Sequence, residues 1–457
     1  MAQTEQAQGQ FRTIEEAVEW VTGRQSFGIK PGLKRMEWMM ERLEHPERRL
    51  KFIHVAGTNG KGSTCAYLSQ VLRQCGYDVG TFTSPFLERF NNRMQYNLED
   101  IDDGTMLSLI NRVKPLADEL EASELGAPTM FEITTAVAIL YYATVCYPDY
   151  VVWETGLGGR LDSTNIVVPV ITVITNIGHD HQEILGDSLE QIAAEKAGII
   201  KPGVPLVTAV EQPEAFRVIE ETAKSRKATV YALGREFRAE PQSVKLDDQV
   251  FTFEGPFRAI PDVHISLNGP HQMKNAAVAL MTLEVLRQYY ALIVEDEDLR
   301  AGMQAARWKG RLETVSRSPR IVLDGAHNPE GAETLAAALR SGVYGYRKLN
   351  VMLGMLETKK HSGFLRHILP LADTLIVTEP EFRKAMSAEA LAELAREEAA
   401  RLGLAVEVTV ERDWKQALDR LQRLTGEEDL AVVTGTLYMI SDVRSRLLGR
   451  RDSDKGW

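Results

Sequence analysis

Short apolar runs alternate with amphipathic stretches along most of the chain. The first, Phe52–Ala56, ends at a glycine and is followed by a helical pattern over Ser63–Cys75. Continuous apolar strands that alternate with helices are typical of a parallel sheet covered on both faces, so the pattern predicts an α/β fold. The other strands predicted here are Val151–Trp153, Val170–Thr175 and Pro205–Ala209, with helices at Phe131–Tyr147, Ser188–Ile200 and Glu214–Ser225.

The pattern changes twice in the second half of the chain. Between Val230 and Ile265, alternating residues with Pro and Gly predict small antiparallel strands, and a long helix is predicted over Met273–Tyr290. From Arg320 the strand–helix alternation restarts. Since 457 residues exceed what one hydrophobic core usually supports, we predict two domains, residues 1–306 and 307–457. Strands of the second are predicted at Ile321–Leu323, Leu349–Leu353, Thr374–Thr378, Ala405–Val408 and Ala431–Thr434.

Composition narrows the class of protein. A content of 44% hydrophobic and 26% charged residues is usual for a globular enzyme, and a net charge of −11 argues against nucleic acid or anionic lipid as general partners. No apolar run reaches membrane-spanning length, and Met1–Gln10 lacks the apolar core of a signal peptide. We expect a cytoplasmic protein whose cysteines are small buried hydrophobes without metal-binding spacing: Cys65, Cys75 and Cys146.

The clearest chemical signal is a glycine-rich segment that follows the first predicted strand and opens a helix, the setting of a phosphate-binding loop. Glycines let backbone N–H groups approach phosphate, and the helix N-terminus adds a positive dipole. Lys61 supplies a charge and Ser63 a hydroxyl for Mg²⁺. The loop is shorter than the general GxxxxGK[ST] pattern. The nucleotide-binding residues predicted here are Gly57, Thr58, Asn59, Gly60, Lys61, Gly62 and Ser63.

The segment GTNGKGS resembles the loop of the Mur ligase family, whose members activate a carboxylate as an acyl phosphate and couple it to an amino acid. Within that family the chain resembles the folylpolyglutamate synthases, including the bifunctional dihydrofolate synthase form. The similarity runs from Ser26-Phe27-Gly28 to Gly435-Thr436-Leu437-Tyr438. It implies a monomeric ligase that uses ATP and two Mg²⁺ ions to join glutamate to a folate-type carboxylate. It also implies a P-loop parallel-sheet domain followed by a smaller Rossmann-like α/β domain.

Candidate metal ligands lie in three further segments. Glu154 ends a predicted strand, where α/β sheets place ligands, and a carboxylate near a phosphate loop suits Mg²⁺. By the resemblance, Ser84 matches a serine that approaches both metal and substrate. His181, rather than His179, matches a metal-binding histidine, so His179 is expected to be structural. The metal candidates are Ser63, Ser84, Glu154 and His181.

Several further roles rest on the resemblance alone. Lys196 matches a lysine that is carbamylated and helps to hold a second metal ion. Asn275 matches a residue that contacts adenine. Arg311, in the Trp308–Glu313 segment, matches an arginine that reaches ATP phosphate, and Lys309 replaces a frequent proline there.

The resemblance also assigns roles near the acceptor and the incoming amino acid. Asp324 is expected to contact ribose or phosphate, and His327 to contact the incoming glutamate. Phe131, at the head of a predicted helix, is expected to touch the pterin side of the substrate. The residues predicted to take part in catalysis are Lys61, His181, Lys196 and His327.

Two alternatives stay open. Another Mur-type ligase, acting on a different carboxylate, would share the same motifs; those that act on cell-wall nucleotides usually carry an extra N-terminal domain, for which the residues before Gly57 leave little room. A nucleotide-gated regulatory protein would leave Glu154, His181 and Lys196 without a role. The sequence also leaves open whether the acceptor is dihydropteroate, a reduced folate or both, and which glutamate linkage forms.

Overall fold

A computed structural model of the chain describes residues 10–28 and 30–449, apart from the side chains of Ser26 and Phe27. The matches to the family at these two side chains therefore lie outside the described residues. The α-helices are α1 Ile14–Gly23, α2 Lys34–Arg42, α3 Lys61–Gln74, α4 Asp103–Glu121, α5 Met130–Tyr141, α6 Gln182–Leu185, α7 Leu189–Ala197, α8 Pro213–Ser225, α9 His271–Tyr290, α10 Asp296–Ala305, α11 Pro329–Arg340, α12 His361–Ile368, α13 Ala388–Arg401, α14 Trp414–Leu424 and α15 Leu437–Leu447.

The strands form two large sheets and one small sheet. They are β1 Phe52–Ala56, β2 Val79–Phe82, β3 Met94–Tyr96, β4 Glu99–Asp100, β5 Tyr150–Glu154, β6 Ile171–Ile174, β7 Leu206–Thr208, β8 Val230–Ala232, β9 Arg238–Lys245, β10 Asp248–Glu254, β11 Ala259–Ile265, β12 Glu313–Arg317, β13 Arg320–Leu323, β14 Leu349–Leu353, β15 Thr374–Glu379, β16 Glu407–Asp413 and β17 Leu430–Thr434.

The first large sheet has eight strands in the order β4-β3-β2-β5-β1-β6-β7-β8. Six neighbouring strands run parallel: β2, β5, β1, β6, β7 and β8. Strands β3 and β4 form an antiparallel edge. Strand β1 lies between β5 and β6, with Phe52 opposite Val151 and Ile53 opposite Ile171. The carboxyl ends of these three neighbours therefore meet at one edge, which confirms the predicted α/β class and places the ligand site there.

The second large sheet has six strands in the order β12-β13-β17-β14-β15-β16, parallel except for the hairpin pair β12 and β13. Its parallel strands and covering helices agree with the predicted Rossmann-like second domain. The predicted boundary after residue 306 falls between α10 and β12 and stays a prediction.

One part of the strand prediction is wrong. The segment from Val230 to Ile265 contains the antiparallel strands β9, β10 and β11, as predicted, but β8 at its start pairs in parallel with β7. Strand β8 is an edge strand, and its Val230 is only half-buried. The apolar residues 230–233 fit either kind of strand, and the alternating residues that follow them led to an antiparallel prediction for the whole segment.

An aromatic cluster surrounds the end of β5. The Trp153 ring of β5 stacks on Phe82 of β2 at 4.4 Å between centroids and lies at 5.2 Å from the Phe52 ring of β1. All three side chains are fully buried. Tightly packed large side chains allow little movement, so Glu154, the residue after Trp153, is held at a fixed position at the end of β5.

Among the described residues, no helix has the length and apolarity that crossing a bilayer requires. The three cysteines are unpaired. Cys65 is buried, as expected, whereas Cys75 and Cys146 are only half-buried, which corrects that part of the expectation. Both lie near helix ends, where one side of the residue meets solvent.

A buried histidine in β1 predicts a pH dependence of stability. Burial lowers the pKa of His54 from 6.5 to about 3, with a smaller contribution from the charge of Lys201. Thr164 Oγ1 donates to Asp162, so His54 Nε2 donates to Thr164 Oγ1 at 3.0 Å and the ring is neutral. The unfolded chain binds this proton below pH 6.5, so stability is complete above that pH and is lost progressively as the pH falls towards 3.

At about pH 5 the loss attributable to His54 is ~2 kcal/mol. We expect a His54→Gln variant to show a smaller difference in free energy of unfolding between neutral and acidic pH than the wild type. Urea denaturation at the two pH values measures it. Equal pH dependence in both proteins would contradict the assignment to His54.

Candidate active site

A cavity of about 230 Å³ opens at the carboxyl ends of β1, β5 and β6. Residues from both large sheets and their helices line it; the chain up to residue 306 is called the first part below, and the chain from residue 307 the second part. The first part contributes the 57–63 loop, the ends of β5 and β6 and the start of α9. The second contributes the segments after α10 and β13. Residues of this wall that carry chemistry are Lys61, Ser63, Ser84, Glu154, Asp180, His181, Lys196, His271, Gln272, Asn275, Arg311, Asp324 and His327.

The 57–63 loop has a conformation that glycine makes possible. Gly60 has a φ of 83° and directly precedes α3, and a Cβ at this position would collide with the Asn275 amide. Non-glycine residues pay for this left-handed conformation, and the space is already filled. The loop therefore stays close to Asn275, with the N–H groups at the start of α3 free of helical partners and suited to an anion.

Residues after β6 and on α7 brace the loop from behind. The Asn59 N–H donates to Asn176 Oδ1 at 2.8 Å, and Thr175 Oγ1 donates to the Asn59 carbonyl at 2.6 Å. Lys196 Nζ, which is buried, donates to the Gly57 carbonyl at 2.9 Å. These contacts fix the loop backbone before any ligand arrives, which reduces the cost of ordering it on binding.

Lys61 and Glu154 face each other across the cavity. Lys61 Nζ lies 4.0 Å from Glu154 Oε1 and donates to the Gly57 carbonyl at 3.1 Å. Glu154 also accepts the Ser84 N–H at 3.0 Å. Burial raises the pKa of Glu154, and the charge of Lys61 and the Ser84 hydrogen bond oppose that rise. A buried carboxylate next to the phosphate loop is stabilised by nearby positive charge, which a cation would supply as well.

A short hydrogen-bond chain connects Ser63 to Asn275. Gln272 is fully buried, and its Nε2 donates to Ser63 Oγ at 3.2 Å. Asn275 Nδ2 donates to the side-chain oxygen Oε1 of Gln272 at 3.1 Å. The first turn of α9 therefore orients both the hydroxyl and the amide that the sequence assigns to nucleotide binding.

Arg311 and Asp324 form the wall on the side of the second part. Asp324 accepts the Leu312 N–H and the Ala326 N–H, both at 3.0 Å. Burial raises the pKa of Asp324, and the charge of Arg311 counteracts it. Burial likewise lowers the pKa of Arg311, and Asp324 and Glu154 counteract that shift. The guanidinium is thus placed among carboxylates on both sides of the cavity.

Asp180 connects the two parts of the chain directly. Its Oδ1 accepts Lys359 Nζ at 2.7 Å, and its Oδ2 lies 3.2 Å from His327 Nε2 and 3.4 Å from Asn328 Nδ2. Burial opposes ionisation of Asp180, but the hydrogen bond from His327 and the charges of His327 and Lys359 hold its pKa well below the usual range. This carboxylate therefore fixes the position of His327 relative to the phosphate loop.

His181 follows Asp180 and differs from it in protonation. Burial lowers the pKa of His181 to about 4, although the charge of Asp180 acts in the opposite direction. A neutral imidazole is the form that binds metal ions. His179 instead donates to Glu330, with its backbone N–H at 2.8 Å and Nδ1 at 2.9 Å from the same oxygen, in agreement with the structural role expected for it.

Comparison with known families matches both parts of the chain. The model described as "Mur ligase middle domain" matches residues 55–283, and the one described as "Mur ligase, glutamate ligase domain" matches residues 310–437. The dihydrofolate synthase/folylpolyglutamate synthase of Bacillus subtilis is 40% identical over 441 residues, which cover 96% of this chain and 100% of that protein. The chain belongs to the Mur ligase family. The resemblance to folylpolyglutamate synthases found in the sequence is thereby confirmed.

Solved structures of Mur ligase family members show the same architecture. Folylpolyglutamate synthase of Mycobacterium tuberculosis, complexed with ADP and AMPPCP, superposes with a TM-score of 0.88 at 28% identity, covering 96% of this chain and 100% of that one. Escherichia coli FolC in complex with DHPP and ADP has a TM-score of 0.83 at 27% identity and covers 96% and 99%. These two relatives carry nucleotides, and the second also carries DHPP.

The structure brings together almost all of the residues predicted from sequence. The 57–63 loop, Ser84, Glu154, His181, Lys196, Asn275, Arg311, Asp324 and His327 all line the one cavity. Phe131 does not line it. Its ring packs against Phe82, 5.9 Å away, and against Gly156. A substrate role for Phe131 stays a prediction, and the roles of the other residues are proposals developed below.

The sequence prediction missed three residues of the cavity wall, Asp180, His271 and Gln272, and also Lys359, the partner of Asp180. Asp180 lies between His179 and His181, the two candidates considered in that segment. Its partner Lys359 follows β14, whose carboxyl end faces the same edge as those of β13 and β17. The position of Lys359 after a strand end was therefore a usable signal. Gln272 carried none, because its partner Ser63 is 209 residues away in the chain.

The Trp308 ring packs against the 57–63 loop at Gly62. This contact predicts the effect of a larger residue at that position. A Cβ at Gly62 would lie 2.6 Å from Trp308 Cζ2. We expect Gly62→Ala to displace the ring or the loop at a cost of about 1–3 kcal/mol, which weakens ATP binding about tenfold or more. Calorimetric titration with a non-hydrolysable ATP analogue measures it.

The matched control is Gly23→Ala, because Gly23 has no heavy atom near its Cβ position and an ordinary helical φ of −56°. It should bind the analogue as the wild type does. Unchanged affinity in Gly62→Ala would mean that the Trp308 contact yields easily and does not shape the loop.

Proposed function

We propose that this chain is an ATP-dependent ligase that joins the amino group of glutamate to a carboxylate of a folate-type acceptor. The observation that carries the proposal is a single cavity in which a phosphate-binding loop, the buried pair Lys61–Glu154 and the Asp180–His327–Lys359 cluster face one another. The two solved relatives carry nucleotides, and the relatives reported above include a dihydrofolate synthase/folylpolyglutamate synthase and a folylpolyglutamate synthase.

The donor set of the cavity fits Mg²⁺. Ser63, Ser84 and Glu154 offer oxygen atoms beside the phosphate loop, and Mg²⁺ prefers oxygen ligands shared with substrate phosphates and water. In the part of the chain that the structure describes, no group of three or more His, Cys, Asp or Glu side chains has a metal-binding arrangement. The proposal therefore relies on Glu154, the two hydroxyls and phosphate oxygens for the first ion, and on His181 with a carbamylated Lys196 for the second. When bound, these ions supply positive charge at the γ-phosphate.

The proposed reaction has two steps. An oxygen of the acceptor carboxylate attacks the γ-phosphorus, and the bond from phosphorus to the β-phosphate oxygen breaks. The products of this step are ADP and the acyl phosphate of the acceptor. The glutamate amine then attacks the acyl carbon, loses a proton, and expels inorganic phosphate. Both partners of the first step are anionic, so the contribution of the protein is alignment and charge neutralisation by Lys61 and Arg311.

The second step needs the amine in place and water kept out. His327 lines the cavity, and Asp180 holds both His327 and Lys359. Because His327 comes from the second part and the loop from the first, the site is complete only when both parts are in contact. That arrangement protects an acyl phosphate from hydrolysis.

The direct test is ADP release by the purified protein with ATP, Mg²⁺ and glutamate, comparing dihydropteroate with tetrahydrofolate as acceptor. We expect release that depends on glutamate and on at least one acceptor. Activity with both acceptors identifies a bifunctional enzyme, and activity with tetrahydrofolate alone restricts it to polyglutamylation. If neither supports glutamate-dependent release, the acceptor is a different carboxylate and the chain is another kind of Mur-type ligase.

The environment of Lys196 supports a carbamate at this position. Burial lowers its pKa to about 7, with a further contribution from the charge of Lys61. A neutral amine is the form that reacts with CO₂, and a lysine with an ordinary pKa is almost entirely protonated at neutral pH. We expect ¹³C-bicarbonate to give a carbamate signal in the NMR spectrum of the wild type that is absent from Lys196→Arg.

The same proposal predicts the behaviour of Lys196→Ala. Its ligase activity should fall by on the order of 10²-fold or more and recover in part when a short carboxylic acid such as formate is added to occupy the vacated space. A wild-type protein without the carbamate signal, together with an alanine variant of normal activity, would rule the modification out.

We further propose that the protein works as a cytoplasmic monomer. Its three unpaired cysteines are in keeping with a reducing compartment, and the resemblance to folylpolyglutamate synthases implies a monomer. Light scattering at working concentration would give the mass of the particle, which for a monomer is 51.1 kDa.

A further inference from the structure

We infer that Glu88 is a positioning residue that docks the loop carrying Ser84 onto the second part of the chain, and so keeps ATP cleavage coupled to glutamate transfer. The loop in question, residues 83–93, connects β2 to β3 and is called the Ser84 loop below. The inference rests on the proposed ligase function, because the coupling it concerns is between the two steps of that reaction.

Glu88 and Arg444 form the buried centre of an ionic network between the two parts, and the Lys309 side chain at its edge is half exposed. Its carboxylate accepts Lys309 Nζ at 2.7 Å through one oxygen and Arg444 through the other. Arg444 in turn forms a bidentate pair with Glu313 at 2.9 Å. The side chains of Glu88 and Arg444 are only 13% and 6% exposed. Ion pairs on open surfaces contribute little, whereas a hydrogen-bonded network of this burial resists separation.

The residue before Glu88 is seated as well. The Leu87 side chain packs against the core cluster of the second sheet that includes Met439 and Ile440 of α15. Its carbonyl accepts a hydrogen bond from Ser441 Oγ of the same helix. An apolar side chain, a backbone carbonyl and a carboxylate of the Ser84 loop therefore all contact the second part at one place.

The Ser84 loop is stiff enough to transmit this docking. Asn92 Oδ1 accepts the backbone N–H of Glu88 at 3.0 Å and of Arg89 at 2.8 Å, and Asn92 Nδ2 donates to Asp100 at 2.6 Å. The Thr83 N–H donates to the Arg93 carbonyl at 3.0 Å, which closes the base of the loop. A loop fixed at its tip and at its base moves as a unit.

Both ends of the network reach the cavity. On one side, Ser84 lies four residues before Glu88 and donates its N–H to Glu154 at 3.0 Å. On the other side, Lys309 lies two residues before Arg311, and Glu313 accepts the Gly310 N–H at 2.8 Å. Glu88 thus joins the segment that holds Ser84 to the segment that holds Arg311. Loss of its charge should loosen both at the same time.

The expected consequence is leakage rather than simple inactivity. The phosphate loop and Asn275 have no contact with the Ser84 loop in the hydrogen bonds described above, so ATP still binds and can be cleaved. If the Ser84 loop no longer seals against the second part, water reaches the acyl phosphate before the amine does. ADP would then be released without an amide bond being made.

The test compares Glu88→Gln with Glu220→Gln. Glutamine keeps the size of Glu88 and removes its charge, and Glu220 is a matched control because it pairs with Arg235 at 2.8 Å with both side chains half exposed. For each protein, the ADP released and the glutamate incorporated are measured in the same reaction, together with kcat, KM for ATP and the melting temperature. Binding of ADP and of a non-hydrolysable ATP analogue is measured by calorimetry.

The wild type and Glu220→Gln should release one ADP per glutamate joined. Glu88→Gln should release several, with kcat for ligation reduced about tenfold. Its affinity for the ATP analogue should fall severalfold while its affinity for ADP hardly changes, because Arg311 is proposed to contact the terminal phosphate. Lys309→Met should show a smaller defect, and adding it to Glu88→Gln should cause little further loss, since both remove the same contact.

Three results would overturn the inference. The first is a one-to-one ratio in Glu88→Gln. The second is a rate loss that disappears when the assay is run well below a lowered melting temperature, which would make the network a matter of stability alone. The third is an equal defect in Glu220→Gln. A wild type with no glutamate-dependent ADP release would instead refute the proposed function, which keeps the two failures apart.

Discussion

Lys61→Ala should abolish measurable turnover, with a loss of kcat on the order of 10³-fold or more. Among the residues that the structure describes, Lys61 Nζ donates to the Gly57 and Thr58 carbonyls and lies 4.0 Å from Glu154, so its charge faces an anionic group that enters the cavity. Removing it leaves Glu154 buried without its nearest positive charge. The negative charge of the γ-phosphate also loses the ammonium group that is proposed to neutralise it. Coupled ADP release with saturating ATP, glutamate and acceptor measures the effect.

Lys274→Ala is the control for Lys61→Ala. Lys274 lies in the first turn of α9 beside Asn275, but its Nζ is half exposed and bound to Glu211 at 2.7 Å. Its removal should change kcat by less than about twofold. Normal ADP production coupled to glutamate addition in Lys61→Ala would refute the phosphate-binding role of the loop as a whole.

Asp180→Asn is expected to have the second largest effect, a loss in kcat of about 10²-fold or more. The amide cannot neutralise Lys359, whose side chain is 9% exposed, and it no longer holds His327 by charge. Breaking a buried ion pair leaves an uncompensated charge, which disfavours contact between the two parts. Because the phosphate loop is untouched, the affinity for ADP should remain near that of the wild type, and calorimetry can verify this.

Glu330→Gln tests whether the loss is particular to Asp180. Glu330 also bridges the two parts, through His179, but both side chains are about one-third exposed. Its replacement should reduce kcat by less than about threefold. Equal losses in the two variants would indicate a general weakening of the contact between the parts and no special role for the Asp180 cluster.

The part of the site that the sequence predicts is the part that motifs and strand ends define. The 57–63 loop follows β1, Glu154 ends β5, and the Asn176–His181 segment follows β6, so a reader of the sequence who expects a parallel sheet can place all three at one edge. To bring the three segments together, one needs only the order of the strands. Each strand has at most two neighbours in a sheet, so few orders need to be considered.

What the sequence could not supply is pairing over long separations. Asp180 and Lys359 are 179 residues apart, and Glu88 and Arg444 are 356 apart. No local pattern marks such partners, because each residue alone resembles an ordinary solvated charge. The same limit applies to Phe131: its packing against Phe82 and beside Gly156 has no local sequence signal, and its substrate role stays a prediction.

The cavity wall also includes Leu437, which lies near the end of the described chain at the start of α15. During synthesis on the ribosome, the phosphate loop emerges long before this residue does. A growing chain can therefore fold its first sheet and still lack Arg311, His327 and the cover provided by α15. The proposed ATP-consuming chemistry must wait until α15 has been made and packed, so a growing chain that stops short of it lacks part of the site.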